Sequence, residues 1–178
     1  RDLKRLYGAK YVEAPTEEIF CSIKEALQAG SRILFVGTPC KVAALRQYVR
    51  GIDSGLLTID FVCHGVSSPT VFGDYYQAME ARTGSKIIGY QFFHKELIWN
   101  PTQNVLRFEN GRTLIDNEYQ SLHDRTDILR MSCYDCPYAE YPHPADITMG
   151  ALFKAADYES DIDMRKGVSF VIYNSYSG

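Results

Sequence analysis

At 178 residues, with 46% apolar and 23% charged residues, the chain has the size and make-up of one soluble globular domain spanning 1–178. Its net charge of −3 supplies no basic field for nucleic acid or an anionic membrane. The longest apolar runs, residues 33–36 and 168–172, are far too short to cross a bilayer, and no signal-peptide pattern opens the sequence, so the expected location is the cytoplasm.

The first ten residues carry no helix start signal and read as the tail of an upstream segment. Thr16, followed by Glu17 and Glu18, can cap a helix whose apolar face is Ile19, Phe20, Ile23, Ala26 and Leu27 and which Gly30 stops. Residues 32–37 read as a buried strand ending in glycine. Thr38-Pro39 then opens a second helix, with Val42, Leu45, Tyr48 and Val49 turned inward. Residues 56–62 form a second buried strand, and Ser68-Pro69 opens a third helix carrying Val71, Phe72, Tyr75, Tyr76 and Met79 on one side. This alternation is a βαβ pattern and predicts a parallel pair.

After Gly84 the pattern changes. Residues 86–93 read as a strand, and residues 105–108 and 112–115 flank Asn110-Gly111, a hairpin signal. A helix is expected over 119–131, followed by a cysteine-bearing loop, a strand at 146–149, a charged loop over 157–166 and a last strand at 168–173. The fold class is therefore α/β: a βαβ parallel core with an added antiparallel hairpin and a cysteine-bearing loop.

Five cysteines form no even disulfide framework, and a C-x-x-C pair in a reducing compartment points to metal or redox chemistry. Cys40 falls at the second position of a helix that follows a strand, where unpaired backbone N–H groups and the positive end of the helix dipole favour a thiolate. Cys63 ends the next strand, in Val62-Cys63-His64-Gly65. Parallel strands would bring both to the carboxyl edge of the sheet, where open α/β sheets bind ligands. Cys133-Tyr-Asp-Cys136 adds a chelating pair, stiffened by Pro137. Four thiolates suit tetrahedral zinc or a cubane iron–sulfur cluster.

Plainer roles exist for each residue. Cys40 and Cys63 can pack beside a core, and Cys133 and Cys136 can form a local disulfide. His64 can bond a carbonyl, Asp60 in its apolar strand reads as a satisfied structural carboxylate, and Tyr134, Tyr138 and Tyr141 read as loop packing. Cys21 lies opposite the apolar stripe of its helix and is a spectator; Trp99 receives no role.

Four motifs occur in order: Leu34-Phe-Val-Gly-Thr-Pro-Cys-Lys-Val-Ala-Ala-Leu-Arg46, Leu57-Thr-Ile-Asp-Phe-Val-Cys-His-Gly-Val66 with Ser68-Pro69, Cys133-Tyr-Asp-Cys-Pro-Tyr-Ala139, and Ala145-Asp-Ile-Thr-Met-Gly150. Together they resemble the C-terminal domain of the coenzyme F-420 hydrogenase/dehydrogenase beta subunit family, over about residues 11–174. The family includes F-420-reducing hydrogenase and formate dehydrogenase beta subunits, a chlorophyll-pathway reductase, and bacterial proteins encoded near polysaccharide genes. The resemblance implies an oxidoreductase module holding a 4Fe-4S cluster and FAD, passing electrons to a partner or a deazaflavin. It makes Cys40, Cys63, Cys133 and Cys136 the cluster ligands, and Gly37, Thr38, His64 and Gly65 the lining of the cofactor pocket. It names no catalytic residue.

In many members ferredoxin-like cluster motifs and another domain precede this region and help to hold the flavin; neither occurs in this sequence. The implied partner is an electron-transfer protein or such an upstream region, and self-association is compatible with both. Members usually read Gly-Asp-Phe-Trp-Gly where this chain has Gly150-Ala-Leu-Phe-Lys154. Many read Phe-Arg-Asp-Lys and then Gly-Trp where it has Phe92-Phe-His-Lys95 and then Ile98-Trp99. These departures weigh against use of coenzyme F-420 itself. They also leave a rival: a non-catalytic zinc-binding or interaction module, linked to polysaccharide biosynthesis.

Overall fold

The computed structural model describes residues 10–92, 104–159, 161–163 and 167–176. The expected strand end at Phe93, the residues His94, Lys95, Ile98 and Trp99, and residues 1–9 lie outside that set. The chain forms two compact units, one from residues 14–64 and 136–178, the other from residues 1–13 and 65–135. We call them the sheet unit and the hairpin unit.

The sheet unit opens with α1 (Glu17–Gln28), β1 (Ile33–Gly37), α2 (Pro39–Tyr48) and β2 (Leu56–Phe61), and closes with β6 (Ile147–Ala151), a 3-10 turn (Ala155–Asp157) and β7 (Ser169–Tyr173). Its strands run in the order β1-β2-β6-β7. β1 and β2 are parallel, as the βαβ pattern predicts; β6 extends the sheet as a further parallel strand beside β2, and β7 adds an antiparallel edge on β6. Pleating sends alternate residues to opposite faces. On one face Ile33, Phe35 and Leu56 meet Leu27 of α1, Leu45 of α2 and Val49 just after it. The expected inward set of α2 holds for Val42, Leu45 and Val49, which are fully buried, but Tyr48 and Ile19 are half exposed at the margin.

Helix starts differ from the sequence expectation in detail. Neither Thr16 nor Thr38 caps its helix through its side chain. Thr16 Oγ1 instead accepts from Lys41 Nζ at 3.2 Å, and Thr38 Oγ1 lies 3.2 Å from Cys40 Sγ.

In the hairpin unit, Ser68 is a true cap: its hydroxyl accepts from the Val71 amide at 3.2 Å at the head of α3 (Pro69–Thr83). β3 (Ile87–Gln91), β4 (Asn104–Phe108) and β5 (Thr113–Asp116) make an antiparallel sheet. Met79 of α3 packs against Leu106 and Phe108 in the core of this unit. The Asn110-Gly111 turn forms where predicted, with Gly111 at φ +80 and Asn110 Oδ1 accepting from the Arg112 amide at 3.0 Å.

The helix expected over 119–131 is a correction. It is split into α4 (Glu118–Asp124) and a short α5 (Met131–Tyr134). Thr126 takes a left-handed conformation at φ 66, and the Arg125–Asp127 pair ties the turn locally. Asp124, Thr126 and Asp127 are weak helix formers, and residues 124–127 include no apolar side chain to hold the helix straight.

Candidate functional site

The cysteines and their neighbours are placed by backbone before side chain. Cys40 is the second residue of α2 and is exposed, its Sγ in a hydrogen bond with Thr38. Cys63 follows the end of β2 and is partly buried. Gly37 closes β1 beside Asp60 in register, so Gly37-Thr38 and the end of β2 sit at the same carboxyl edge, as the parallel pairing predicts. His64 is exposed. Cys136, partly buried, opens the return segment of this unit, its carbonyl accepting from the Ala139 amide at 3.1 Å.

Cys133 belongs to the hairpin unit, in α5, with its amide donating to the Arg130 carbonyl at 2.8 Å. Gly65 lies against it. At φ +117, Gly65 occupies a backbone conformation that L residues rarely adopt, and a Cβ there would sit 2.7 Å from Leu129 Cδ1 and 3.3 Å from Cys133 Cβ. His123, buried, holds the same turn: its Nε2 is 3.0 Å from the Gly65 carbonyl. The Arg130 amide donates to the Val66 carbonyl at 2.9 Å, fixing the next residue too. The glycine two residues after Cys63 is thus favoured first by its backbone conformation and by the Leu129 side chain, with Cys133 a tight but secondary neighbour.

No disulfide joins any of the five cysteines. Among the described residues, no group of three or more His, Cys, Asp or Glu side chains is gathered closely enough to hold a metal ion. Cys21 is exposed, with Sγ 3.5 Å from Tyr48 Oη.

Two buried carboxylates organise the sheet unit, and the sequence reading gave a role to one of them alone. Asp60 is fully buried; its Oδ1 accepts from Thr148 Oγ1 at 2.6 Å and lies 3.1 Å from His143 Nδ1, while Oδ2 has no partner. It is a structural carboxylate, as expected, though satisfied on one oxygen. Asn174 Nδ2 extends the network, donating to Thr148 Oγ1 at 2.8 Å and to the Ala145 carbonyl at 3.0 Å, and the Tyr141 hydroxyl reaches Asn174 Oδ1.

Asp146, in the Ala-Asp-Ile motif, is a clamp. Its Oδ2 accepts from the Thr58 amide at 2.8 Å and hydroxyl at 2.7 Å, and its Oδ1 meets Arg46 Nη2 at 2.7 Å and the Ser175 hydroxyl at 2.6 Å. Burial alone would raise this carboxyl, but the hydrogen bonds from Ser175, Thr58 and Arg46 outweigh it and hold the pKa down to about 2. One side chain therefore joins α2, β2 and the segment after β7. An aspartate opening a strand after Pro-Ala was the visible signal; its partners 88 and 100 positions back were not.

Gly150, which opens the Gly-Ala-Leu-Phe-Lys segment, is closely packed. A Cβ there would collide with the Phe170 ring and fall 3.1 Å from Val62 Cγ2, so the glycine admits the Phe170 ring against β6. Among the described residues, no helix is long and apolar enough to cross a membrane.

No curated protein matches the sequence. Among solved structures, a chain of the xenon-derivatised F-420-reducing NiFe hydrogenase complex from Methanosarcina barkeri is similar at a TM-score of 0.49 and 17% identity, over 82% of this chain and 48% of that one. This chain thus spans about half the length of that relative. The family model for the carboxyl-terminal region of the coenzyme F-420 hydrogenase/dehydrogenase beta subunit matches residues 30–178, and the chain belongs to that family.

Proposed function

We propose that this chain is the electron-relaying module of a cytoplasmic iron–sulfur flavoprotein oxidoreductase, with Cys40, Cys63, Cys133 and Cys136 as ligands of a 4Fe-4S cluster. The observation that carries this reading is that Cys40, at the head of α2, and Cys63, just past β2, lie at one carboxyl edge of the parallel sheet in a chain of this family. Gly65, at φ +117, suits a backbone conformation that L residues rarely adopt, and a Cβ there would press on the Leu129 side chain. It lets the turn at Gly65-Val66 close on the helix that bears Cys133. The donor set is of the right kind: four thiols, none consumed in a disulfide, on turns and helix ends rather than in element interiors. Thiolate ligation and the hydrogen bonds around the sulfurs would set the potential of the cluster. Thr38, in a hydrogen bond with Cys40 Sγ, is the residue that would tune it in this reading.

FAD is the proposed second cofactor, with Gly37, Thr38, His64 and Gly65 at its edge and with an upstream region sharing its binding. It would accept or return electrons one at a time from the cluster side. The partner is an electron-transfer protein or a ferredoxin-like region, and a deazaflavin is the less favoured terminal acceptor because the Gly-Asp-Phe-Trp-Gly segment is altered.

Anaerobic reconstitution with iron and sulfide tests the core of this proposal. The expected product holds about four irons per chain with broad charge-transfer absorption and a paramagnetic signal on reduction. Cys63→Ser and Cys133→Ser should each abolish it. Stoichiometric zinc without iron under the same conditions would establish the rival metal-binding reading instead.

A further inference from the structure

We propose that the second face of the four-stranded sheet is the seat of a second copy of this chain. Sheets of mainly parallel strands have both faces covered. Within the sheet unit, α1 and α2 cover one. On the other, Leu34 is 58% exposed, Val36 56%, Phe61 42%, Met149 38%, Val171 47% and Tyr173 69%. Register makes them one surface: Phe61 pairs with Met149 and Met149 with Val171 across three strands, and Val36 continues the patch through Ile59. No residue at these alternate positions of β1, β2, β6 or β7 carries a formal charge.

Area and charge decide the occupant. Half-exposed side chains of this size contribute about 600 Å² from the six named residues alone, taking roughly 200 Å² for each when fully exposed. That is at the upper limit for the largest apolar patch of an ordinary monomer. With the partly buried Leu57, Ile59 and Ile147 between them, it approaches the roughly 800 Å² that each partner contributes to a standard specific interface. A face without charge has nothing that selects an oppositely charged partner. Under a two-fold axis it needs only to be complementary to itself. Two such faces, stacked about 10 Å apart with strands near −30°, reproduce the packing of a β-sandwich.

The inference is independent of the cysteines and survives failure of the redox reading. Sedimentation velocity of the full chain, kept reduced and run from about 1 to 100 μM, should show a discrete two-copy species. Leu34→Glu and Val171→Glu should each raise its dissociation constant at least ~100-fold, because each buries an unpaired charge in the contact. Ile88→Glu, on a still more exposed strand residue of the hairpin unit, should leave it unchanged. If the glutamates unfold the chain, footprinting of the unaltered protein replaces them: labelling of Met149 and Tyr173 should fall as concentration rises. A folded monomer across the range, open-ended aggregation, labelling that ignores concentration, or a dimer indifferent to both glutamates would overturn the proposal.

Discussion

The two units are each held together by a different chemistry. In the sheet unit the apolar cluster of α1, α2 and the strands is small, and buried polar groups bind the rest: Asp146 to Thr58, Arg46 and Ser175, and Asp60 to Thr148 and His143. In the hairpin unit, rings do the same work. Phe72 of α3 lies 5.1 Å from Tyr119, 5.2 Å from Tyr90, 5.3 Å from Tyr76 and 5.8 Å from Phe92, mostly at edge-to-face or tilted angles. Hydrogen-bonded carboxylates make stability depend on pH, whereas ring packing depends on shape. The tyrosines of this cluster reinforce the contrast: burial pushes the phenols of Tyr75, Tyr90 and Tyr119 upward, so they stay neutral through the accessible range.

The largest expected effect breaks the ring-packed side. Tyr119 is fully buried, touches Phe72 and Tyr75, and donates its hydroxyl to the Tyr11 carbonyl at 2.9 Å while sharing a hydrogen bond with Ser67. Tyr119→Ala should cost about 3–5 kcal/mol, as aromatic-to-alanine changes in cores do. Hydrogen exchange read segment by segment should show the loss in α3 and β3 through β5. Equal loss of protection in β2 and β6 would mean that the two regions are not separately held.

The next effect breaks the polar side. Asp146→Asn leaves Arg46 without its carboxylate and Thr58 without a charged acceptor, for an expected loss of about 2–3 kcal/mol. The pH dependence has a definite sign. The folded carboxyl titrates near 2, below its ordinary value, so its stabilisation is complete above about pH 5 and drains away as pH falls toward 2. The amount at stake is about 2 kcal/mol. Urea midpoints at pH 7 and pH 3 should therefore differ for the unaltered chain, and the difference should shrink in Asp146→Asn. An unchanged difference would assign the acid sensitivity to other groups.

What could be read from the sequence follows this same divide. Periodicity and turn chemistry are local, so β1-α2-β2, the Ser68-Pro69 helix start and the Asn110-Gly111 hairpin were all visible. So were the four ordered motifs that carry the family. The clamps were not, because Asp146–Thr58 and Asp60–His143 join positions more than 80 residues apart. The split between α4 and α5 was missed because apolar residues on both sides of Thr126 mimic one continuous helical face. Gly65 was legible as a motif residue, but the reason for it, the side chains of Leu129 and Cys133, lies over 60 positions away.

The smallest effect sharpens the comparison inside a single unit by separating backbone from side-chain terms. Gly111 and Gly89 both belong to the antiparallel sheet region of the hairpin unit, and neither has a close obstacle: nothing lies within 4 Å of a Cβ at Gly111, and Arg107 Cβ is 3.8 Å from one at Gly89. They differ in backbone. Gly111 holds φ +80 in the turn between β4 and β5, while Gly89 sits in β3 outside the left-handed region. Gly111→Ala should cost about 1 kcal/mol, from the strain of an L residue in that conformation, with no steric component to relieve. Gly89→Ala should be neutral or slightly stabilising, since alanine is less costly than glycine to order in a strand interior. Paired urea melts measure the difference directly. Equal effects at the two positions would mean that the turn re-forms with another geometry, and that Asn110, through its bond to the Arg112 amide, holds the hairpin without the glycine.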